Sequence, residues 1–289
     1  MHDKQYRNLG VFVLIVLGVL AFSTARTAGE KDGLLRVYVL DVGQGDAIFV
    51  EAPNGNQVLI DGGPDERVAH HLGNILPFSD RTLDLVVLTH PHSDHMQGLF
   101  EVLKRYAVGH ILETRVTYDS SEFRQWREAR TQEGAELIEA VAGKTIDLGA
   151  DVALTVLYPL ESLKGQEAAN PNNSSAVILL KHRDVSILFT GDIETKGERE
   201  LITNRALLDA DVLKVAHHGS RTSTTQLFLD EVSPKVALIS VGERNRYRHP
   251  SPDILSRLEK SGIPYYRTDT NGTVVVESDG NAFRVTTRK

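Results

Sequence analysis

The segment His90-Pro-His92-Ser-Asp94-His95 places three imidazoles and a carboxylate within six residues. Neutral imidazole nitrogen and carboxylate oxygen ligate zinc and other divalent first-row metals, so this spacing points to a metal site. The segment follows an apolar run, Leu83 to Thr89, that reads as a buried strand ending at the motif. A strand end sets ligands at the rim of a sheet, where a substrate reaches them. Further ligands recur in the same setting. Asp61 follows Val58-Leu-Ile60, Asp192 follows Ile187-Leu-Phe-Thr-Gly191, His217-His218 follow Val212-Leu-Lys-Val215, and His249 comes shortly after the run ending at Val241. With His90, His92 and His95, these are six of the chain's 11 histidines. If those strand ends share one edge, the ligands converge. Neighbours in an extended chain point in opposite directions, so one of His217 and His218 is the expected ligand.

Strands must deliver these groups. Leu35 to Leu40, Ala47 to Ala52 and Gln57 to Ile60 are predicted strands; the first two flank the turn Asp41-Val-Gly-Gln-Gly-Asp46 and the last two the hairpin Pro53-Asn-Gly-Asn56. Asp65 to Leu76 and Met96 to Tyr106 carry apolar residues at helical spacing, and Ser121 to Glu133 reads as an exposed, charged helix whose Trp126 serves core packing or a helix-face contact, not substrate. Val152 to Tyr158 is a strand. Ala176 to Leu180 and Val185 to Phe189 form a second hairpin, and the polar loop Glu161 to Asn170 is the candidate substrate-adjacent segment. From Glu194 onward helix and strand alternate. Strands first and alternation afterwards predict an α/β fold of two stacked sheets with helices outside.

The composition is globular, 41% hydrophobic and 25% charged over 289 residues, and no Pro-, Gly- or Ser-rich linker divides the chain. A net charge of −7 argues against tight nonspecific nucleic-acid binding but not against a phosphodiesterase that meets its substrate through metal ions. The absence of cysteine excludes disulfides and thiolate metal sites. Lys4 and Arg7, the apolar run Val11 to Phe22 and the small residues Ser23-Thr-Ala25 have the order of a secretory signal. Residues 1–33 are therefore expected to be a cleaved signal or an uncleaved membrane anchor. Either places the folded part, 34–289, outside the cytoplasm or at the outer face of the cytoplasmic membrane.

The set Asp61, His90-x-His92-x-Asp94-His95, Asp192 and His218 resembles the metallo-β-lactamase fold. More closely, Asp41-Val-Gly-Gln-Gly-Asp46, Asn172-Asn-x-Ser175, Thr190-Gly-Asp-Ile193, Leu213-Lys-Val-Ala-His-His-Gly-Ser220 and Arg248-His-Pro250 resemble the C-terminal hydrolase domain of the ComEC competence DNA-uptake proteins. The multi-helix channel region of those proteins has no counterpart here, so the expectation is a stand-alone hydrolase domain behind one targeting segment. The resemblance implies a four-layer αββα sandwich of two mixed sheets holding one or two divalent metal ions, zinc or manganese. It implies His90 and His92 on the first metal, Asp94, His95 and His218 on the second, and Asp192 bridging. Asp61 would stand behind the ligands and orient the histidine loop, with Asp46 packed beside the site.

Many members of the fold supply a further histidine to the first metal. The matching segment here is Asn170-Pro-Asn-Asn-Ser-Ser175. Asn172 and Asn173 either ligate weakly or orient substrate or the loop, and oxygen-rich coordination shifts preference from zinc towards manganese or magnesium. With His218 as ligand, His217 is left to substrate or proton transfer. Ser220 and Arg248 are candidates to contact an anionic group, and His249 to contact phosphate or move a proton; a solvated loop is the alternative for the arginines. The implied reaction is attack by a metal-activated water, with Asp192, His217 and His249 managing protons. A phosphodiesterase or nuclease acting on DNA or another phosphodiester is the leading reading. A carbonyl hydrolase, lactonase or β-lactamase-like, and a non-catalytic binding module are the alternatives.

Overall fold

The computed structural model of the chain describes residues 19–21 and 32–289. The targeting segment expected before residue 34 lies, but for those few positions, outside the described residues. Among the described residues no helix is long and apolar enough to cross a membrane.

Two eight-stranded sheets face each other. The first runs β16 (Phe283–Arg288), β15 (Thr273–Ser278), β2 (Leu35–Val39), β3 (Ile48–Glu51), β4 (Gln57–Ile60), β5 (Thr82–Leu88), β6 (Ala107–Glu113), β7 (Glu136–Glu139). The second runs β1 (Val19–Ala21), β8 (Thr145–Gly149), β9 (Val152–Tyr158), β10 (Val177–His182), β11 (Val185–Phe189), β12 (Val212–Lys214), β13 (Val236–Ile239), β14 (Tyr265–Arg267). Each is mixed: β4 to β7 and β11 to β14 are parallel, while β15–β2–β3–β4 and β8–β9–β10–β11 are antiparallel.

Side-chain alternation explains the layering. Val37, Val39, Ile48, Val50, Leu85 and Val87 of the first sheet meet Leu154, Val156, Ile178, Ile187, Phe189 and Leu238 of the second in the central core. The opposite face of the first sheet, including Phe49, Leu59 and Val86, packs on Leu72 of α1 (Arg67–Ile75), Leu99 of α2 (Ser93–Arg105) and Trp126 of α3 (Ser121–Glu133). That of the second, including Leu188, Leu213 and Ile239, packs on Leu201 of α4 (Thr195–Thr203), Phe228 of α5 (Gln226–Val232) and Leu258 of α6 (Pro252–Lys260). The result is the αββα sandwich of two mixed sheets that the sequence leads one to expect.

Two departures have physical causes. Helix α2 starts at Ser93, inside the histidine motif and three residues before its first periodic apolar residue, Met96. Its first turn is polar, and Asp94 there favours the positive end of the helix dipole. The sequence predicts no strand at β1, β6, β7, β8 or β16, and β1 falls within the run expected to be a targeting segment. β7 and β16 are edge strands with little buried surface, so hydrophobic alternation barely marks them.

Helix α2 lies directly on the loop that follows β4. A Cβ at Gly98 would collide with Gly62 O and reach 2.5 Å from Asp65 O, and Gly98 N donates to Gly63 O (3.0 Å). Gly→Ala within a helix ordinarily stabilises by ~0.5–1 kcal/mol. Gly98→Ala is expected to do the reverse, destabilising by about 1–3 kcal/mol through overpacking. A denaturation midpoint that stays level or rises in this variant would contradict the packing.

Candidate metal centre

The carboxyl ends of the parallel strands supply the polar groups, the edge where open α/β sheets place ligands. β4 runs into Asp61, whose backbone is left-handed at φ 58°, a conformation Asp adopts more readily than most residues. Its carboxylate accepts from Thr89 N (2.8 Å), Thr89 Oγ1 (2.7 Å) and His95 Nδ1 (2.8 Å). When the ring is neutral, the last contact favours the His95 proton on Nδ1 and the Nε2 lone pair toward the cluster. β5 leads to Thr89 and His90, and His92 caps α2, which carries Asp94 and His95 in its first turn. Thr89 Oγ1 sits 3.1 Å from His90 Nδ1, and His90 Nε2 lies 3.0 Å from His92 Nδ1.

From the second sheet, β11 leads into Thr190-Gly191-Asp192. Gly191, at φ 50°, packs against Ser175 and Thr89, and Asp192 N donates to Ser175 Oγ (3.0 Å). After β12 the chain turns through His217 and His218, both left-handed at φ 51° and 54°. This corrects the expectation of an extended pair facing opposite ways: the turn brings both rings to one carboxylate. Asp192 Oδ2 lies 3.3 Å from His95 Nε2, 3.4 Å from His218 Nε2, 3.8 Å from His217 Nε2 and 3.9 Å from His90 Nε2. His218 Nε2 is also 3.4 Å from Asp94 Oδ2. Its Nδ1 lies 3.0 Å from Ser240 O and 3.3 Å from Asp46 Oδ1. Asp46 in turn pairs with Lys214, which is fully buried.

The residues present fit a divalent cation. His90, His95 and Asp192 bring one ligand atom each within 4.8 Å of one another, as do Asp94, His95 and His218, and Asp46, Asp192 and His218. His95 Nε2, His218 Nε2 and Asp192 Oδ1 are buried without a hydrogen-bond partner. Buried polar atoms are rarely left so, and nitrogen and carboxylate oxygen are the donors such a cation takes. His92 belongs to none of these sets; it stands at the outer side of His90.

The electrostatics divide the rings. Burial opposes charge on His95, but Asp192 and Asp61 outweigh it and hold that imidazole's pKa well above the ordinary 6.5. For His218 burial is likewise outweighed, by Asp192 and Asp46. Burial and the neighbouring His95 push His90 well below 6.5. Burial, then His218 and His217, push His249 down to about 4.

A cleft of about 310 Å³ opens over the cluster, with Asp94, Asp192, His217 and His218 on its floor and Tyr118, Tyr247 and His249 among its walls. The other expected contacts lie elsewhere. Asn172 Nδ2 and Asn173 Nδ2 donate to Glu194, and Asn173 Oδ1 accepts from Glu194 N (3.2 Å) at the start of α4. Ser220 Oγ pairs with Thr222 Oγ1 (3.0 Å), and Arg248 is exposed on the loop before His249. The loop Glu161 to Asn170 stays outside the cleft, and Gln166 O accepts from Thr117 N (2.7 Å). Sequence reasoning passed over Tyr118, Ser120, Glu122 and Tyr247 as cleft residues, and Glu194, 3.6 Å from His217 Nδ1. Tyr118 sits in an irregular segment with no motif. Glu194 follows Asp192 by two residues, but no motif in the sequence marks it.

The sequence pattern of the metallo-β-lactamase superfamily matches residues 40–243, and the chain belongs to this superfamily of hydrolases, whose fold implies one or two divalent metal ions. Within it, the chain is similar to competence proteins. It is 32% identical to ComE operon protein 3 of Bacillus subtilis (strain 168) over 282 residues, 92% of this chain and 35% of that protein. It is 31% identical to competence protein ComA of Neisseria gonorrhoeae over 280 residues, 93% of this chain and 36% of that one. The chain thus spans about a third of the length of these relatives. Among solved structures, the metallo hydrolase Igni18 of Ignicoccus hospitalis shares the fold, with a TM-score of 0.54, 17% identity, and coverage of 83% of this chain and 98% of that one.

Two outcomes are expected. Asp61→Ala leaves the Thr89 and His95 donors unpaired in a dry interior, so it should destabilise the protein by about 3 kcal/mol and weaken metal binding 10–100-fold, a range of about the usual size for a group behind a ligand. Full metal affinity in a folded Asp61→Ala protein would contradict that role. Second, ligating imidazoles must be neutral, whereas His95 and His218 retain protons above 6.5 in the metal-free protein. Metal uptake at pH 7 should therefore release protons, and affinity should rise with pH. The sign is opposite for the metal-free fold: the stability these imidazoliums contribute is full below 6.5 and is lost as pH rises through their raised values. Calorimetric titration in two buffers of different ionisation enthalpy measures the release, and identical heats would contradict it.

Proposed function

We propose that the chain is a metal-dependent phosphodiesterase acting on DNA or a similar phosphodiester. The observation that carries this reading is the convergence of His90, His95, His217 and His218 on Asp192 Oδ2 beneath a cleft walled by Tyr118, Tyr247 and His249. Arg244, Arg246 and Arg248 are exposed on the loop that carries the cleft residues Tyr247 and His249. Between them Tyr247 lies under the Arg246 guanidinium (4.9 Å) and stacks on His249 (ring centroids 5.7 Å). Asn245 clamps the loop: its Oδ1 accepts from His249 N (2.8 Å) and its Nδ2 donates to His249 O (2.7 Å). In a chain of net charge −7, three arginines on one loop beside the cleft suit contact with a phosphate backbone. The names of the similar proteins, which concern competence, support DNA in particular.

In this reading His90, His92, Asp94, His95, Asp192 and His218 hold one or two zinc or manganese ions. Such ions supply a nucleophilic water at neutral pH and polarise the attacked phosphoryl group. Asp61 and Asp46 fix the His95 and His218 rings from behind. Arg248 and its neighbours steer the phosphate into the cleft. His249, neutral at pH 7 with a buried Nδ1 that lacks a partner, accepts a proton at the cleft wall. The order of residues 1–33 supports an exported or membrane-anchored enzyme.

The test is a screen of the purified chain with zinc or manganese against linear DNA, bis-p-nitrophenyl phosphate and a lactone. Cleavage of the phosphodiesters, abolished in Asp192→Ala, is expected. His249→Ala should lower kcat by about 100-fold, the scale of a lost proton-transfer group, with its metal content unchanged. Lactone hydrolysis without phosphodiester cleavage would overturn the reading, as would full phosphodiester activity in Asp192→Ala.

A further inference from the structure

Both nitrogens of His217 face carboxylates. Nε2 lies 3.8 Å from Asp192 Oδ2, the oxygen that His90 Nε2 approaches at 3.9 Å, and Nδ1 lies 3.6 Å from Glu194 Oε1. A neutral imidazole carries one N–H. If it serves Glu194, the Nε2 lone pair points at an anionic oxygen, a repulsive contact unless a cation stands between them. A carboxylate behind the remote nitrogen is also the usual support of a metal-ligating histidine.

Glu194 is held for this task. Its Oε2 accepts from Asn170 Nδ2 (2.8 Å) and Asn173 Nδ2 (3.4 Å), and its Oε1 from Asn172 Nδ2 (3.2 Å) and Thr222 Oγ1 (3.2 Å). The asparagine segment where the fold's further histidine was sought thus turns its amides away from the cleft, onto the carboxylate behind His217. The left-handed turn at His217 and His218 brings both rings to Asp192 Oδ2.

We propose that His217 Nε2 is a metal ligand, sharing with His90 and His92 the outer of two cation sites bridged by Asp192, and that Glu194 is its positioning residue. The inference rests on the metal-hydrolase reading above and assigns His217 to coordination instead of proton transfer. Asn170, Asn172 and Asn173 then act through Glu194.

The experiment counts metal on the full chain. Protein is dialysed against fixed free zinc and analysed by plasma mass spectrometry, with cobalt(II) absorption reporting coordination. Wild type is expected to hold two equivalents and His217→Ala one, with the His95–His218 site retained. His217→Asn, whose side chain suits the left-handed backbone, should also hold one and guards against misfolding of the alanine variant. Glu194→Gln should keep two equivalents but loosen one of them ~10-fold and alter the cobalt spectrum of that site only. Two equivalents with unchanged affinity in His217→Asn would overturn the proposal while leaving the metal-hydrolase reading intact, and so would a single equivalent in wild type. No bound metal in wild type would overturn both.

Discussion

The site is organised by one oxygen atom. Asp192 Oδ2 has four imidazole nitrogens between 3.3 and 3.9 Å away, all in a largely desolvated pocket. One carboxylate oxygen cannot satisfy four rings: it has two lone pairs, and four imidazoliums would repel one another at low dielectric. The rings that stay neutral aim lone pairs toward the anion. Uncompensated groups of this kind cost several kcal/mol when buried, on the order of ~3–5 for an unpaired charge. The fold nevertheless holds the arrangement with backbone that most residues avoid, left-handed at Asp61, Gly191, His217 and His218. Strain of this kind persists only where surrounding structure over-determines it. A cation among these donors turns the repulsive geometry into coordination.

The over-determination comes from the seam between the sheets. The histidine motif belongs to the first sheet and Asp192, His217 and His218 to the second, so their spacing depends on how the two edges lock. The turn between β2 and β3 provides the lock. Gly45 packs so closely on Asp94 O that a Cβ would collide with it. Gly45 O accepts from Ser240 Oγ (2.6 Å) across the seam, and Gln44 Oε1 accepts from Gly242 N (3.3 Å). Asp46 pairs with Lys214 beneath the site. A buried ion pair of this kind adds little net stability; its effect is to fix the register of one sheet edge against the other while it braces the His218 ring.

Much of this was legible in the sequence, because ligands and strands leave strong marks. Apolar runs such as Val58–Ile60 and Ile187–Phe189 announce strands, and a ligand after each run locates the edge of the sheets. Helix α3 falls on Ser121 to Glu133 as read from the sequence, and the structure shows what bounds it: Ser120 Oγ accepts from Phe123 N (3.0 Å) and Gly134 sits at φ 74°. What was not legible depends on tertiary context. The edge strands β7 and β16 bury too little to show alternation. The His217–His218 turn violates the default that consecutive residues point apart, and tertiary contacts hold it: His217 N donates to Gly191 O (3.1 Å), Ser251 N donates to Gly219 O (2.8 Å), and Gly219 packs against Pro250. The asparagines and Glu194 are ordinary loop residues in sequence; their shared target is visible only in space.

On the proposed reading the two halves of the centre are built unequally, and the difference follows from burial. His95 and His218 are enclosed, each with its second nitrogen held by protein: Asp61 behind one, Ser240 O and Asp46 behind the other. Nothing on that side need move when a cation binds, so little ordering entropy is lost there. The outer half faces the cleft. Besides His90, His92 meets the edge of the Tyr118 ring (centroids 6.0 Å), and the His217 side chain remains 20% exposed. Its rings can adjust, and its cation would share its coordination with water and substrate. A tight inner ion then serves as the fixed charge that defines the site, while the outer, looser position is where substrate enters and where the supporting network of Glu194 has most to contribute.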